Sequence, residues 1–408
     1  PTFVNALQRS AKVLADMRRY EEALARNDRA LALEANSPDT WLRSGNVLIH
    51  LKRPKDALAS YDRVLSLDPN HIDVLVNRSA ALEGLGRPQE ALGDLDRALA
   101  VKPDDPGALN NKATILKSLG RIEEACGFYE RALAVAPNDA EARTNYAMAL
   151  FLKGDLADGW REYEARWQKK VNKGKHPPIS FPRWNGEKLE GRRIVVFAEQ
   201  GLGDIVQFSR YLPLLQQQGG DVTFLVTGKM HAMLRAAFPG VTLSSEAKDI
   251  AAQNFDYQIA MMSLPLRFDT RADSVPAVVP YLKPEQQRVS RWRERIGTDG
   301  FRVGICWQGN PDISVDLGRS IPLAAFAPLA QVPRVRLISL QKNAGSEQRD
   351  ICRFKVESLG EDFDSGHDAF VDTLAVMQNL DLVISPDTSL AHVAGALGRP
   401  SWVALRFV

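Results

Sequence analysis

The pattern of apolar and polar positions in this chain changes its period once, close to residue 190. Before that point small residues recur at a step of 34: Ala23, Ala57, Ala91 and Ala125 share one register, and Ala11, Gly45, Ser79, Ala113 and Ala147 share another. The segments RRYEEALARNDRALAL, KRPKDALASYDRVLSL, GRPQEALGDLDRALAV and GRIEEACGFYERALAV align without gaps. Their apolar spacing is helical, so each unit predicts two helices that approach closely where the small residues fall. Pro69, Pro103 and Pro137 keep the same step between units, and Pro54 and Pro88 open second helices, where a missing N–H costs little. From Arg192 onward, β-branched runs alternate with helical stretches. RIVVFAE, DVTFLVTG, VTLSS and FDYQIAM predict strands, with helices after Asp204 and around Met230 to Phe238. LKPEQQRVSRWRERIG predicts a helix between two halves, after which RVGICWQG, VRLISLQ, a short CRFKVES, DLVIS and WVALRF predict strands again. Helices are expected over 322–331, 368–379 and 388–397.

The small/large register and its period resemble the tetratricopeptide repeat family, whose helix pairs stack into a superhelix with a concave groove. The repeats occupy residues 1–168, as four units and a degenerate capping unit, GDLADGWREYEARWQ. In that last unit Trp160, Tyr163 and Trp167 form an aromatic stripe at helical spacing, read as a capping helix that docks on the next domain. Asn77, Asn111 and Asn145 also stand 34 apart, two residues before the small residue of each first helix. Each amide offers a donor and an acceptor, so a row of them can hold an extended peptide backbone with little demand on its sequence. The row resembles the asparagine ladder in the repeat arm of O-linked N-acetylglucosamine transferases, and implies a protein or peptide acceptor in the groove. Arg9 and Arg43 occupy the equivalent earlier positions, so the ladder is incomplete. Residues 169–191, basic and rich in Pro and Gly, are expected to be a linker.

Two turns carry the chemistry. In VVFAEQGLGDIVQF a β-branched run ends at Gly201 and Gly203, and Asp204 sits where a helix begins. A strand that stops at a glycine turn and re-enters as a helix makes a cleft at the carboxyl edge of its sheet. Backbone N–H groups there favour anions, and a carboxylate there can accept a proton. The plainer alternative makes Asp204 a helix N-cap. In DLVISPDTSLAHVAGALGRPSWVAL a buried strand ends before Pro386-Asp387, and Thr388 and Ser389 open a helix whose free N–H groups and hydroxyls suit a pyrophosphate. His392, one turn in, could reach the same anion or a sugar.

In combination, DTSLAHVAGALGRP resembles the donor-binding motif of the ADP-heptose:lipopolysaccharide heptosyltransferase family, and GLGD resembles that family's early glycine-aspartate turn. The fold implied is an all-α tetratricopeptide superhelix followed by an α/β GT-B fold of two Rossmann-like halves. Residues 192–283 would form the acceptor half and residues 284–408 the nucleotide-sugar donor half. By the same resemblance Asp204 is the general base of an inverting transfer. Arg319, before Ile321-Pro322, contacts the donor phosphates and offsets charge on the leaving diphosphate. Lys342 does the same, Glu347 takes the ribose hydroxyls, Trp307, Gln308 and Asn310 line the donor site, and Asp387, Thr388, Ser389 and His392 bind the donor. No metal is required when helix dipoles and cations carry the phosphate charge. DLD at 94–96 and DFD at 362–364 are not placed like a metal-binding DxD. The chain stops at LRFV, where this fold continues into a helix crossing back, which implies either a missing completing segment or a shortened, weakly active form.

Composition narrows the setting. A 408-residue chain with 45% hydrophobic and 25% charged residues has the makeup of a soluble protein of two or three domains. Its net charge of +2 and lack of basic runs argue against nucleic acid as partner. Cys126, Cys306 and Cys352 have no metal-ligand spacing and predict reduced thiols. No apolar run reaches membrane-spanning length and no signal-type segment opens the chain, so a cytoplasmic location without membrane insertion is expected. The resulting expectation is a cytoplasmic, metal-independent, inverting glycosyltransferase. Its donor substrate is a nucleotide-diphosphate sugar, with no other cofactor, and its repeat arm binds a protein acceptor, flagellin or another bacterial surface protein. Two alternatives stand beside it: transfer to lipopolysaccharide or another glycan, and a non-catalytic scaffold.

Overall fold

The computed structural model describes residues 2–169, 176–312, 316, 318–342 and 344–405. The chain separates into two compact units, residues 1–173 and residues 174–407.

The first unit is a stack of antiparallel helices: α1 Thr2–Asp16, α2 Tyr20–Leu33, α3 Pro38–His50, α4 Pro54–Leu67, α5 Ile72–Gly84, α6 Pro88–Val101, α7 Pro106–Ser118, α8 Ile122–Val135, α9 Ala140–Lys153 and α10 Leu156–Tyr163. The small-residue registers do what their spacing requires. Ala23, Ala57, Ala91 and Ala125 are fully buried, as are Ser79, Ala113 and Ala147, and large side chains fill the space they leave. Tyr61, Leu95 and Tyr129, again 34 apart, are those side chains, and a Cβ on Gly45 would fall 2.3 Å from the Tyr61 ring. Odd-numbered helices touch their next odd neighbours, and each even helix touches the odd helices flanking it. The odd helices therefore form the inner layer of a superhelix, as stacked repeats do. Each turn between the helices of a pair holds one residue in the left-handed region, Arg18, Lys52, Gly86, Gly120 and Gly154. Glycine meets that demand without strain in the last three.

The aromatic stripe of the capping unit is used inside the arm. Phe151 of α9 packs on Trp160 with ring centroids 4.5 Å apart, Trp160 meets Tyr163 at 5.9 Å, and the Arg166 guanidinium lies over the rings of Tyr163 and Trp167. The DLD aspartates are structural, with Asp94 buried against Arg78 and Asp96 paired with Lys112.

The second unit contains two parallel four-stranded sheets. One has the order β3-β2-β1-β4, from β1 Arg193–Phe197, β2 Asp221–Leu225, β3 Thr242–Ser244 and β4 Tyr257–Ala260. The other has the order β6-β5-β7-β8, from β5 Phe301–Ile305, β6 Val335–Ser339, β7 Leu382–Pro386 and β8 Ser401–Ala404. The strand order reverses at β1 and at β5, so each sheet has its crevice at the carboxyl ends of those central strands. The helix Gln286–Ile296 joins the halves and buries Val289, Trp292 and Ile296. The Trp292 indole N–H donates to Asp372 Oδ1 at 2.9 Å, which fixes this helix on the second half.

Three expectations are corrected. The stretch 169–191 is not a free linker: residues 170–175 lie outside the described residues, but from 176 it packs on the first sheet. Ile179, Trp184 and Leu189 are buried, and the Pro182 carbonyl and Trp184 N–H pair with the backbone of Gln258 in β4. Three apolar anchors outweigh the Pro/Gly composition. CRFKVES makes only a single bridge, Ile338 to Glu357, rather than a strand. The helix expected over 322–331 is a 3-10 turn Leu323–Phe326 followed by Ala327–Ala330, broken where Pro328 removes a donor.

Truncating a large residue of the repeat core should act locally and strongly. Tyr129→Ala is expected to cost the arm about 3–5 kcal/mol, the usual range for emptying a buried aromatic site. Urea unfolding followed by far-UV circular dichroism checks it; an unchanged first transition would contradict the packing described.

Candidate functional site

The helix Leu202–Phe208 opens directly after the glycine turn that follows β1. Gly201 is its N-cap and Asp204 its third residue, and the Gly201 N–H donates to Asp204 Oδ2 at 3.1 Å. Asp204 thus caps the helix from inside its first turn and lines the cleft that opens there. In the second half, Thr388 caps the helix Ser389–Ala396 with extended backbone angles, and its hydroxyl lies 2.9 Å from the Ser385 hydroxyl. The first N–H groups of such a helix have no intrahelical acceptor and point outward.

These two helices pack against each other. A Cβ on Gly203 would fall 2.8 Å from His392 Cδ2 and 3.3 Å from the Ser389 Cα. Only glycine admits that approach. Two more ties span the halves of this unit: the Ala369 N–H donates to the Lys229 carbonyl at 2.8 Å, and the Tyr281 N–H donates to the Ala396 carbonyl at 3.0 Å. Between the halves lies a cleft of about 1060 Å³.

Of the sequence-predicted residues, Gly201, Gly203, Asp204, Gln308, Asn310, Arg319, Lys342, Asp387, Thr388, Ser389 and His392 all line this cleft. Residues nearly two hundred positions apart meet there. The Arg319 guanidinium crosses Gly309, where a Cβ would fall 2.6 Å from Nη2, and it lies 3.8 Å from Asp316. Its Nε is buried, lies at ion-pair distance from Asp316 Oδ1, and makes no hydrogen bond among the described residues. Lys342 donates its Nζ to the Asp364 carbonyl.

Two predicted donor residues are elsewhere. Trp307 is fully buried, its indole N–H donating to the Gly345 carbonyl at 2.9 Å, so it supports the cleft from beneath. One step further along the chain, Gln308 turns to the other side and faces the cleft. Glu347 is exposed and absent from the lining, because the loop carrying it folds back and points Gln348, not Glu347, at Gln308. Of the DFD carboxylates, Asp362 pairs with Arg295 at 2.8 Å. Asp364 accepts from the Asp372 N–H at 2.7 Å and caps the helix Val371–Gln378.

Sequence reasoning missed several contributors, among them Lys229, Cys306, His367 and Gln341. Gln341 Oε1 accepts from the backbone N–H groups of Trp307 at 3.1 Å and Gln308 at 3.0 Å. Its Nε2 donates to the carbonyls of Gln308 at 3.0 Å and Ala344 at 2.8 Å. One side chain thereby clamps the loops after β5 and β6. A polar residue just past a buried strand is the signal that could have found it. Lys229, in the 3-10 turn Gly228–Met230, and His367, in a loop, have no motif to announce them.

The electrostatics separate the groups. Burial raises the Asp204 carboxyl above its ordinary range, an effect that the Gly201 N–H and the nearby His392 only partly offset. Burial lowers His392, against the pull of Asp387 and Asp204. Burial thus works against charge on both groups, making the Asp204 carboxylate more basic and the His392 imidazole less basic than usual. The Cys306 thiol, almost wholly buried, is pushed up to about 11 and does not serve as a nucleophile near neutral pH.

Comparison with known proteins bears mainly on the arm. Tetratricopeptide repeat family models match residues 9–72, 45–115 and 106–139. The arm consists of tetratricopeptide repeats, and the second unit is an α/β domain of parallel sheets. Protein FlbA of Caulobacter vibrioides is 28% identical over 62% of this chain, which spans 46% of that relative, less than half its length. Among solved structures, that of MamA protein is 19% identical with a TM-score of 0.36, covering 44% of this chain and 98% of that one. YrrB, described as a TPR protein with an unusual peptide-binding site, is 22% identical with a TM-score of 0.33, covering 41% and 86%. TTC0263, a thermophilic TPR protein of Thermus thermophilus, is 20% identical with a TM-score of 0.37, covering 41% and 92%. Among the described residues no helix is long and apolar enough to cross a membrane.

The raised Asp204 pKa has a measurable consequence. A carboxyl whose folded pKa lies above its unfolded value favours folding at low pH, and that contribution is lost as pH rises through the folded value. Asp204→Asn, which keeps an oxygen for the Gly201 N–H, should raise the melting temperature at neutral pH. The gain should shrink as pH falls through the folded value and be gone below the ordinary aspartate value of about 3.9. Differential scanning calorimetry across that range is the check; equal effects at both ends would remove the claim that charge burial matters.

Proposed function

We propose that the second unit is an inverting, nucleotide-sugar-dependent glycosyltransferase of GT-B type, and that the repeat arm binds its protein acceptor. The observation that carries this reading is the convergence in one cleft of a basic carboxylate, Asp204, with Arg319 and the helix start at Thr388 and Ser389. One half supplies a proton acceptor, and the other supplies donors for an anion.

In the transfer, an acceptor hydroxyl attacks the anomeric carbon of the donor. Its proton passes to the Asp204 carboxylate as the new C–O bond forms. The bond between the anomeric carbon and the distal phosphate oxygen breaks on the opposite face, and its electron pair leaves with the nucleoside diphosphate. Arg319, Lys342 and the N–H groups at the start of the Ser389–Ala396 helix stabilise that charge, so no metal is called upon in this mechanism. His392, less basic than usual and against Gly203, is placed to donate to the donor sugar or phosphate. Gln341 keeps Gln308 and the backbone beside it at the wall of the nucleotide site. On the arm, the amides of Asn77, Asn111 and Asn145 are half-buried and face the same side of the inner layer. Asn145 Nδ2 donates to Asn110 Oδ1 at 3.3 Å and Asn111 Nδ2 reaches the Val76 carbonyl at 3.5 Å, long bonds that an incoming peptide could replace.

Melting of the full chain against a panel of nucleoside diphosphates and their sugars tests the reading. A donor at a hundred times its dissociation constant adds about 2.7 kcal/mol to stability. The expected result is a clear shift with one nucleotide class, weakened in Arg319→Ala and Ser389→Ala. Asp204→Asn should keep the shift while losing transfer by about a hundredfold or more. No shift with any nucleotide would leave the arm as a scaffold and sink the enzyme.

A further inference from the structure

Each of the two helices that carry the cleft begins there, so its last turn lies behind the cleft, and carbonyl groups in that turn need donors from outside the helix. Both helices find such donors in one stretch of chain, residues 276–282, which leads from the first half of this unit towards the helix Gln286–Ile296. On the Leu202–Phe208 helix, the Tyr281 hydroxyl donates to the Val206 carbonyl at 3.1 Å, beside the Ser209 hydroxyl at 2.9 Å. On the Ser389–Ala396 helix, the Tyr281 N–H donates to the Ala396 carbonyl at 3.0 Å, and the Leu282 N–H to the same oxygen at 3.3 Å. The N–H groups of Leu397, Gly398 and Arg399 turn back onto Val393, Gly395 and Ala394, so the crossing stretch serves a carbonyl that these three do not. Tyr281 therefore joins the rear ends of both helices.

Arg210 holds Tyr281 in turn. Its Nε donates to the Gln207 carbonyl at 2.8 Å, Nη1 to the Pro276 carbonyl at 3.3 Å, and Nη2 to the Tyr281 hydroxyl at 3.2 Å. The guanidinium carbon lies 5.1 Å from the centroid of the Tyr281 ring. A planar fork with donors in fixed directions can hold a helix end and a crossing strand in one relation. The phenol accepts from a cation and donates to Val206, so each bond of this chain polarises the next. Tyr281 and Leu282 are buried, and their seat is close: a Cβ on Gly398, which has φ 67, would fall 3.1 Å from Val279 Cγ1. Neither Arg210 nor Tyr281 lines the cleft. The helices are seven and eight residues long, about 10–12 Å, so a shift at their rear is delivered to the front with little loss.

We propose that Arg210 and Tyr281 are positioning residues for the cleft, setting from behind the approach by which Asp204 meets the helix Ser389–Ala396. They touch neither substrate. They fix the relation between the half that supplies the proton acceptor and the half that supplies donors for an anion. As far as turnover is concerned, the inference rests on the reading of the cleft as a transferase site; as a statement about geometry it stands apart from that reading.

Hydrogen exchange of the full chain, read by mass spectrometry on peptides covering Ala369, tests the geometry. The Ala369 N–H bridges the halves to the Lys229 carbonyl, a bond to which neither Arg210 nor Tyr281 contributes. In Tyr281→Phe and in Arg210→Ala that amide should exchange about tenfold faster, while peptides from β1 and β5 keep their protection. Tyr281→Phe leaves Val206 with the Ser209 hydroxyl, so no helix carbonyl is orphaned and the chain should fold. Unchanged exchange at Ala369 in both variants overturns the proposal, whatever the activity. Turnover is the second arm, measured with the nucleotide sugar of whichever of UDP, GDP, ADP or dTDP raises the melting temperature most. Both variants should lower kcat about tenfold or more and leave KM within about twofold, the signature of misplaced rather than missing groups. The double variant should be no worse than Arg210→Ala alone, because both changes break one chain of bonds. A rise in KM at unchanged kcat, or additive losses in the double variant, overturns the positioning role. If the parent chain binds none of these nucleotides, the transferase reading fails, and faster exchange at Ala369 still upholds the positioning pair.

Discussion

The cleft of the second unit exists because two helices touch through a residue that has no side chain. Each helix starts at the carboxyl edge of its own parallel sheet, and the contact at Gly203 brings both starts to one opening. A single methyl group there would strike His392 and the backbone of Ser389. Everything proposed for the site depends on that approach: Asp204 is the next residue after Gly203, and Ser389 and His392 are the surfaces it meets. The geometry also explains the electrostatics. Bringing the helices together removes water from Asp204 and His392, which raises the one and lowers the other.

Several side chains in this cleft do two things at once. Asp204 caps its own helix and also lines the cleft. Gln341 clamps two loops and so fixes where Gln308 stands. Trp307 fills the core below and anchors the Gly345 loop above. Site geometry held by packing and buried hydrogen bonds is stiff, but it couples activity to stability.

How far the sequence carried this picture depends on what kind of constraint each element obeys. The repeat registers were legible because packing in a stack is a local rule repeated at a fixed step, and Ala57 or Ala113 answers to it directly. The strands were legible as β-branched runs, and the two turns as glycine and proline punctuation. Residues 176–191 were misjudged because their composition reports turns, whereas Trp184 and Leu189 report burial, and three anchors suffice to dock a Pro-rich stretch. Trp307 and Glu347 were misplaced because the side of a loop that a residue faces is set by distant hydrogen bonds, those of Gln341 and Trp307. Lys229 and His367 could not be found at all: they join the cleft through the tertiary pairing of the Ala369 N–H with the Lys229 carbonyl.

The arm is organised on the opposite principle to the cleft. Its stability resides in the small/large pairs between helices, such as Gly45 with Tyr61 and Ala113 with Tyr129, and none of these faces solvent. The groove positions at the same 34-residue step carry arginine twice and asparagine three times without any change in the buried register beneath them. Substitution there alters charge and hydrogen-bonding capacity on an exposed face, which ordinarily changes stability by a few tenths of a kcal/mol. A stacked-repeat arm can therefore change what it binds while keeping how it folds. The cleft has no such freedom, because removing one of its side chains also removes a cap, a clamp or a floor. That difference gives a physical reason for the proposed division of recognition and chemistry between two units of one chain.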